Sequence, residues 1–342
     1  MMARATHIDG KLPNLALMKY SHWLKSRGYG VRFSKRVRRE LDEPDYDLVF
    51  GSAIFSASAG RVREFLTEFP GAVVGGTWDP AQALTVEQHM GVPEYEHYDY
   101  SLYPGFAASM GFTARGCRLR CGFCVVPGKE GRPRSVNTIA DIWRGPGHPK
   151  HLHLLDNDFF GQPREQWRAR LEEIRAGAFR ICLNQGINVR VLDDEAAEAL
   201  ASVPYYDDSF KVRRLYTAWD NLEDERIFLR GVERLEKAGI PPRHLMVYML
   251  VGWDPAETWE RIMRRFNRMV TLGIRPYPMI YGDRSRGLPG GGANADYSRR
   301  TLGEFQRWVI RKSYNFVPFE HYDANAKGRA VVGQMDLFEG GA

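Results

Sequence analysis

"GFTARGCRLRCGFCVVPGKEG", residues 111–131, decides how the rest of the chain is read. It starts as a short apolar strand, GFTAR, and runs into a loop holding Cys117, Cys121 and Cys124, three of the chain's four cysteines within eight positions. A secreted scaffold spreads an even number of cysteines along its length, whereas a cluster in a reducing compartment more often holds metal. Structural zinc takes four ligands, commonly as two separated CxxC pairs, and this chain offers CxxxCxxC with no second pair. Three thiolates suit a cubic iron-sulfur cluster whose fourth iron keeps an open position. On spacing alone, zinc and redox-thiol readings stay open.

Outward from this loop, short strand candidates recur with amphipathic segments between them. After GFTAR come HLHLLD (151–156), FRICLNQ (179–185), RRLYTAW (213–219), LMVYMLVG (245–252) and RPYPMIY (275–281). Parallel strands buried on both faces read as nearly continuous apolar runs, so these six units predict a partial (β/α)6 barrel over residues 101–285. Barrels gather functional residues at the carboxyl ends of their strands. There the sequence places Asp156, Asn157 and Asp158, then Asn184 and Gln185, then Trp219 and Asp220. The competing reading is that these are helix caps and turn formers.

Residues 1–100 alternate in the same way. An amphipathic stretch from Leu15 to Leu24 is followed by GYGVRF, YDLVFGS, a helical stretch near Val62 to Phe69, and GAVVGG. This predicts a small doubly wound parallel sheet, so the fold class is α/β throughout. The tyrosine-rich VPEYEHYDYSLYPGF (92–106) reads as an ordered connection, with the domain boundary near residue 100. The 342-residue length suits two domains, and no apolar run approaches bilayer length. The N-terminus lacks the features of a secretory signal, so a cytoplasmic protein is expected. A formal charge of +6 points mildly toward an anionic partner, with nucleic acid ahead of a membrane.

The CxxxCxxC loop after a strand, with Phe123 preceding the last cysteine, resembles the radical S-adenosylmethionine superfamily. The resemblance implies a [4Fe-4S] cluster on Cys117, Cys121 and Cys124, S-adenosylmethionine as cofactor, an external one-electron reductant, and a radical that abstracts hydrogen from the substrate. It further implies cofactor contacts from Asp156, Asn157 and Asp158 in LLDNDFFG and from Asn184, Gln185, Asn188 and Arg190 in LNQGINVRVLDDE. Val251 and Gly252 in YMLVGWD would lie beside the adenine, with plain core and turn roles as the alternative. Trp219 and Asp220 complete the expected cofactor set, and Cys182 reads as a small buried hydrophobe.

The N-terminal domain is similar to the cobalamin-binding class, yet none of the nine histidines stands two residues after an aspartate, as DxHxxG requires. A cobalamin-free scaffold is therefore expected, with a cobalamin-dependent radical methyltransferase as the alternative. No cysteine precedes Cys117, which argues against the methylthiolating relatives and their second cluster. The extension, residues 286–342, interleaves Arg299, Arg300, Arg307, Arg311 and Lys312 with Phe305, Trp308, Tyr314 and Phe316. Of these, Arg300, Arg307, Trp308, Arg311 and Lys312 are candidates to hold phosphates and stack on bases. An amphipathic helix closing the barrel is the other reading. GLPGGGANAD (287–296) reads as a lid or connection rather than a phosphate loop. The resemblance extends to radical proteins of phages and archaea linked to hypermodified DNA, which implies isomerisation of an amino-acid-modified thymine as the reaction. A nucleic-acid-binding module with a structural cluster is the non-enzymatic alternative.

Overall fold

The computed structural model describes residues 1–79, 85–92, 95–290, 297 and 299–324. It is an α/β chain with parallel sheets. Two compact units divide it, Met1–Leu152 and His153–Ala342, so the break falls well beyond the boundary expected near residue 100. The reason is polar wiring that ties the residues after the first sheet back onto it. The Asp99 N–H donates to the Met18 carbonyl, and Asn137 donates to Glu96, which is paired with Lys19. The Tyr103 hydroxyl bonds both the His7 ring and the Asn14 N–H.

In the first unit, β1 (Met2–His7), β2 (Gly30–Ser34), β3 (Leu48–Ser52) and β4 (Val73–Gly75) form a parallel sheet in the order β2-β1-β3-β4. Helices α1 (Leu15–Lys25) and α2 (Ala59–Glu68) make the crossovers after β1 and β3, and the short α3 (Val86–Met90) follows β4. Asn14 starts α1 by accepting the Leu17 N–H on its side chain. Residues 3–7 of the central strand are buried throughout, including Arg4, whose charge is met by Glu43 at 2.8 Å and by the Arg36 and Arg38 carbonyls. A buried guanidinium is tolerable only when its donors are used in this way. Ile8, Ala53, Val62, Phe65 and Phe69 pack the apolar core beside this sheet. Next come β5 (Ser109–Gly111), β6 (Ala114–Arg115), the short α4 (Val126–Glu130), β7 (Arg134–Ser135) and α5 (Ile139–Ile142). Strands β6 and β7 pair antiparallel, Ala114 with Ser135 and Arg115 with Arg134.

The units divide on β8 (His151–Leu154). In the second unit α6 (Arg164–Ala176), β9 (Arg180–Leu183), α7 (Asp194–Ala201), β10 (Leu215–Ala218) and α8 (Glu225–Lys237) alternate. They are followed by β11 (Leu245–Val251), α9 (Trp259–Thr271), β12 (Arg275–Ile280) and α10 (Leu302–Ile310). Strands β10, β11 and β12 form a parallel sheet in that order. Strand β9 has no ladder to this group: Ile181 makes an isolated bridge to Tyr205 in the segment before β10, and Ile187, beyond β9, gives its N–H to the Tyr216 carbonyl. The strands of the second unit are thus not one continuous hydrogen-bonded sheet. Strand β11 also departs from the two-faced burial expected of it. Leu245, Val247, Met249 and Val251 are fully buried, while Met246, Tyr248 and Leu250 between them are half-buried. The alternation marks one face packed on helices and one more open. Residues 291–296 of the glycine-rich GLPGGGANAD lie outside the described residues.

Candidate functional site

The cysteine loop is held at a narrow neck. Strands β6 and β7 pair on either side of it, and inside that pairing the Cys117 N–H donates to the Gly131 carbonyl at 3.2 Å. Gly116 turns the chain with φ +86°, and a Cβ there would collide with the Arg132 carbonyl oxygen, so only glycine fits. The Glu130 carboxylate accepts the Gly116 N–H at 2.9 Å and pairs with Arg115 at 3.2 Å, closing the neck with charge. Arg115 also lies 4.1 Å over the Phe112 ring. Sequence reasoning missed Glu130 and Arg115, although KEG at 129–131 stood at the edge of the motif.

Cys117, Cys121 and Cys124 are all half-buried on this loop, with Phe123 half-buried among them. The Cys124 N–H closes a turn on the Cys121 carbonyl, and the Leu119 N–H points at Cys117 Sγ at 3.4 Å. A donor aimed at sulfur favours the thiolate, the form that binds metal. By donor type, then, the loop fits an iron-sulfur cluster with three protein ligands. Among the described residues no group of three or more His, Cys, Asp or Glu is placed to hold a metal ion. Cys182, by contrast, is fully buried in β9 and burial pushes its thiol up, so it is the packed small hydrophobe expected.

In the second unit the strand-end residues separate into distinct roles. Asp156 and Asp158 are buried and Asn157 half-buried. Asn184 is half-buried, its Oδ1 3.0 Å from His153 Nδ1, and Gln185 is exposed. Asn188 caps the turn that follows by accepting the Arg190 N–H and Nε. Arg190 pairs with Asp224 at 2.6 Å, so a ligand carboxylate would have to share or replace that partner. Trp219 is fully buried, stacked on Phe228 with its indole N–H given to the Asn221 carbonyl, so its side chain is core. Its neighbour Asp220 accepts the Leu250 N–H at 3.1 Å, and burial raises its carboxyl above the usual range. Val251 is fully buried core. Gly252 has both backbone groups engaged, its N–H with Glu257 and its carbonyl with Arg286, so the turn role accounts for it. Glu257 itself forms a buried pair with Arg265 that sequence reasoning did not single out.

The basic-aromatic tail splits the same way. Trp308 is buried against Phe266, Phe305 and Phe319, and its indole N–H goes to the Val317 carbonyl, which removes it as a stacking surface. Arg300 is engaged by the Tyr322 and Glu320 carbonyls and by Glu304. Arg307, Arg311 and Lys312 remain exposed, together with Phe316 at 74 % exposure. No helix among the described residues is long and apolar enough to cross a membrane.

No family model and no curated protein matches this chain. A solved structure, the crystal structure of an SsGBP mutation variant, aligns over 94 % of this chain and 100 % of its own at 9 % identity and a TM-score of 0.17, a likeness too slight to carry an argument.

Proposed function

We propose that the chain is a radical S-adenosylmethionine enzyme, its strands arranged as a partial barrel, acting on an amino-acid-modified thymine in DNA. The observation that carries the first part is the CxxxCxxC loop itself, three half-buried cysteines beyond a neck that only glycine at 116 can turn. Cys117, Cys121 and Cys124 would hold the cluster, which supplies the single electron that opens the cofactor's sulfonium. The protein's part is to bind, orient and exclude water. Arg190, Asn184 and the Asp156–Asp158 turn are the proposed polar contacts for the cofactor, while Trp219 and Val251 support them from the core. Asp220, with its raised carboxyl, is suited to hold a proton beside a ligand.

Anaerobic reconstitution with iron and sulfide tests this reading. Roughly four of each per chain are expected, as a cubic cluster demands. Alanine at the three cysteines should abolish uptake, and Cys182→Ala should leave it intact. Stoichiometric zinc without iron-sulfur absorbance rejects the proposal. With dithionite and S-adenosylmethionine the reconstituted protein should release 5′-deoxyadenosine, which a nucleic-acid-binding module with a structural cluster would not.

The substrate assignment rests on the exposed Arg307, Arg311 and Lys312 beside Phe316. Chemistry on a base needs it out of the stack, with neighbouring phosphates held by cations and bases by aromatic faces. Phe316 takes the stacking role that Trp308 cannot fill. Mass spectrometry of digested modified DNA should show an isomer of unchanged mass, formed only with reductant and cofactor. Efficient conversion of a free nucleoside with no action on DNA overturns the assignment.

A further inference from the structure

The first unit contains a cavity that the proposed radical chemistry does not use. It has a volume of 210 Å³ and lies at the carboxyl ends of β3 and β4, bounded by Ser52, Gly75 and the first half of α1. In the order β2-β1-β3-β4 the chain reverses direction of winding between β1 and β3, and open parallel sheets bind ligands at the carboxyl edge beside such a reversal. The wall is largely apolar, with Leu17, Tyr20, Phe50, Val74 and Phe112 on it. A second, more polar cavity of 570 Å³ adjoins it, and the two share Thr85, Glu87, Arg115 and Lys129. An apolar chamber therefore opens through a charged collar.

The direct ion pairs of that collar are not evenly shared. Lys19 is met by Glu87 and Glu96, each at 2.6 Å, and Arg115 by Glu130 at 3.2 Å. His89 bonds the Tyr20 hydroxyl at 3.1 Å. Lys129, half-buried on α4, lines both cavities, and among the described residues its ammonium makes no ion pair and no hydrogen bond. Burial weakens its hold on the proton. The Glu130 and Glu87 carboxylates act on it through space without contact, so the partly desolvated cation is incompletely compensated, and an anion bound beside it relieves that cost. Size narrows the choice further. An apolar cavity of about 150 Å³ takes up benzene, so the 210 Å³ chamber here accommodates a one- or two-ring body. Gly75 borders open space, since among the described residues a Cβ built on it meets no atom within 4 Å, so a larger side chain there has room to enter the chamber.

We infer that this cavity binds a small aromatic carboxylate, its rings among Leu17, Phe50 and Phe112 and its carboxylate on Lys129. Isothermal titration calorimetry on the full chain, without iron or S-adenosylmethionine, tests the inference separately from the radical reading. The probes are 2-naphthoate, its neutral counterpart 2-naphthylmethanol, and hydroxocobalamin. Naphthoate should bind one to one and at least about tenfold more tightly than the alcohol, the ratio expected of one charge-assisted contact. Lys129→Gln should erase that preference while leaving the alcohol's affinity unchanged, and Lys129→Arg should keep most of it. Gly75→Leu should block both probes, with a thermal melt showing the fold retained. Equal binding of acid and alcohol, an acid preference that survives Lys129→Gln, or no binding of either at millimolar concentration overturns the inference. Stoichiometric retention of cobalamin would also overturn it, by making the cavity one corner of a corrinoid site.

Discussion

Gly116 and His7 show how much single residues control here. Gly116 sits in left-handed backbone with a carbonyl where a Cβ would go, so Gly116→Ala must open the neck of the cysteine loop. A loss of about 1–3 kcal/mol in urea unfolding is expected from the strained backbone. Iron uptake should fall with it, since Cys117 loses its bond to the Gly131 carbonyl. His7 ends the central strand, 3 % exposed, with Nε2 lacking any partner among the described residues. Burial and the Lys35 charge lower its pKa below the ordinary value of 6.5. The unfolded chain then takes up a proton that the folded chain refuses. Stability is therefore full above pH 6.5 and declines as pH falls from there toward the depressed folded value. His22 and His244 are lowered too, again chiefly by burial, and add to the same slope. Unfolding free energies between pH 8 and pH 5 should show the decline, and His7→Phe should make it shallower.

At the scale of elements, the ends and buried pairs of helices set the second unit. Thr301 and Glu304 form a reciprocal capping box at the start of α10, the helix that brings Phe305 and Trp308 into the aromatic cluster. Thr301→Ala should cost about 1 kcal/mol, read as a lower urea midpoint. Arg265 on α9 is more consequential. It is 1 % exposed, meets Glu257, and donates to the carbonyls of Trp219, Asp220 and Leu250 at the ends of two strands. Burial works against both charges, raising Glu257 and lowering Arg265, so each depends on the other. Glu257→Gln strands a buried guanidinium and should destabilise by about 3–5 kcal/mol. The adjacent Gly252 turn, whose N–H rests on Glu257, should loosen with it, as faster amide exchange at Gly252 would show.

For the whole molecule, the proposed contact with DNA implies a salt dependence. If Arg307 and Arg311 each meet a phosphate, replacing both by alanine should reduce the slope of log affinity against log salt by roughly 1–2. Fluorescence anisotropy with a thymine-rich single strand between low and high salt would measure it. An unchanged slope would place the phosphate contacts elsewhere.

Local chemistry is what the sequence determined by itself. The CxxxCxxC spacing, the glycine before it and the alternation of strands and helices depend on near neighbours along the chain, and all are visible in the residues. Only the tertiary structure decided which side chains at a strand end or on a helix remain available. Trp219 and Asp220 are adjacent in sequence, just past the end of β10, yet the first stacks into the core while the second takes the Leu250 N–H. Trp308 and Arg307 part because a helix has two faces, one turned inward onto Phe266 and the other left in solvent. The position of the unit boundary was equally hidden, since it depends on bonds such as Tyr103 to His7 that join residues far apart in the chain. Lys129 belongs with these. Its meaning comes from acids that pair directly with Lys19 and Arg115 but act on it only from a distance, and pairing of that kind exists only once the chain has folded.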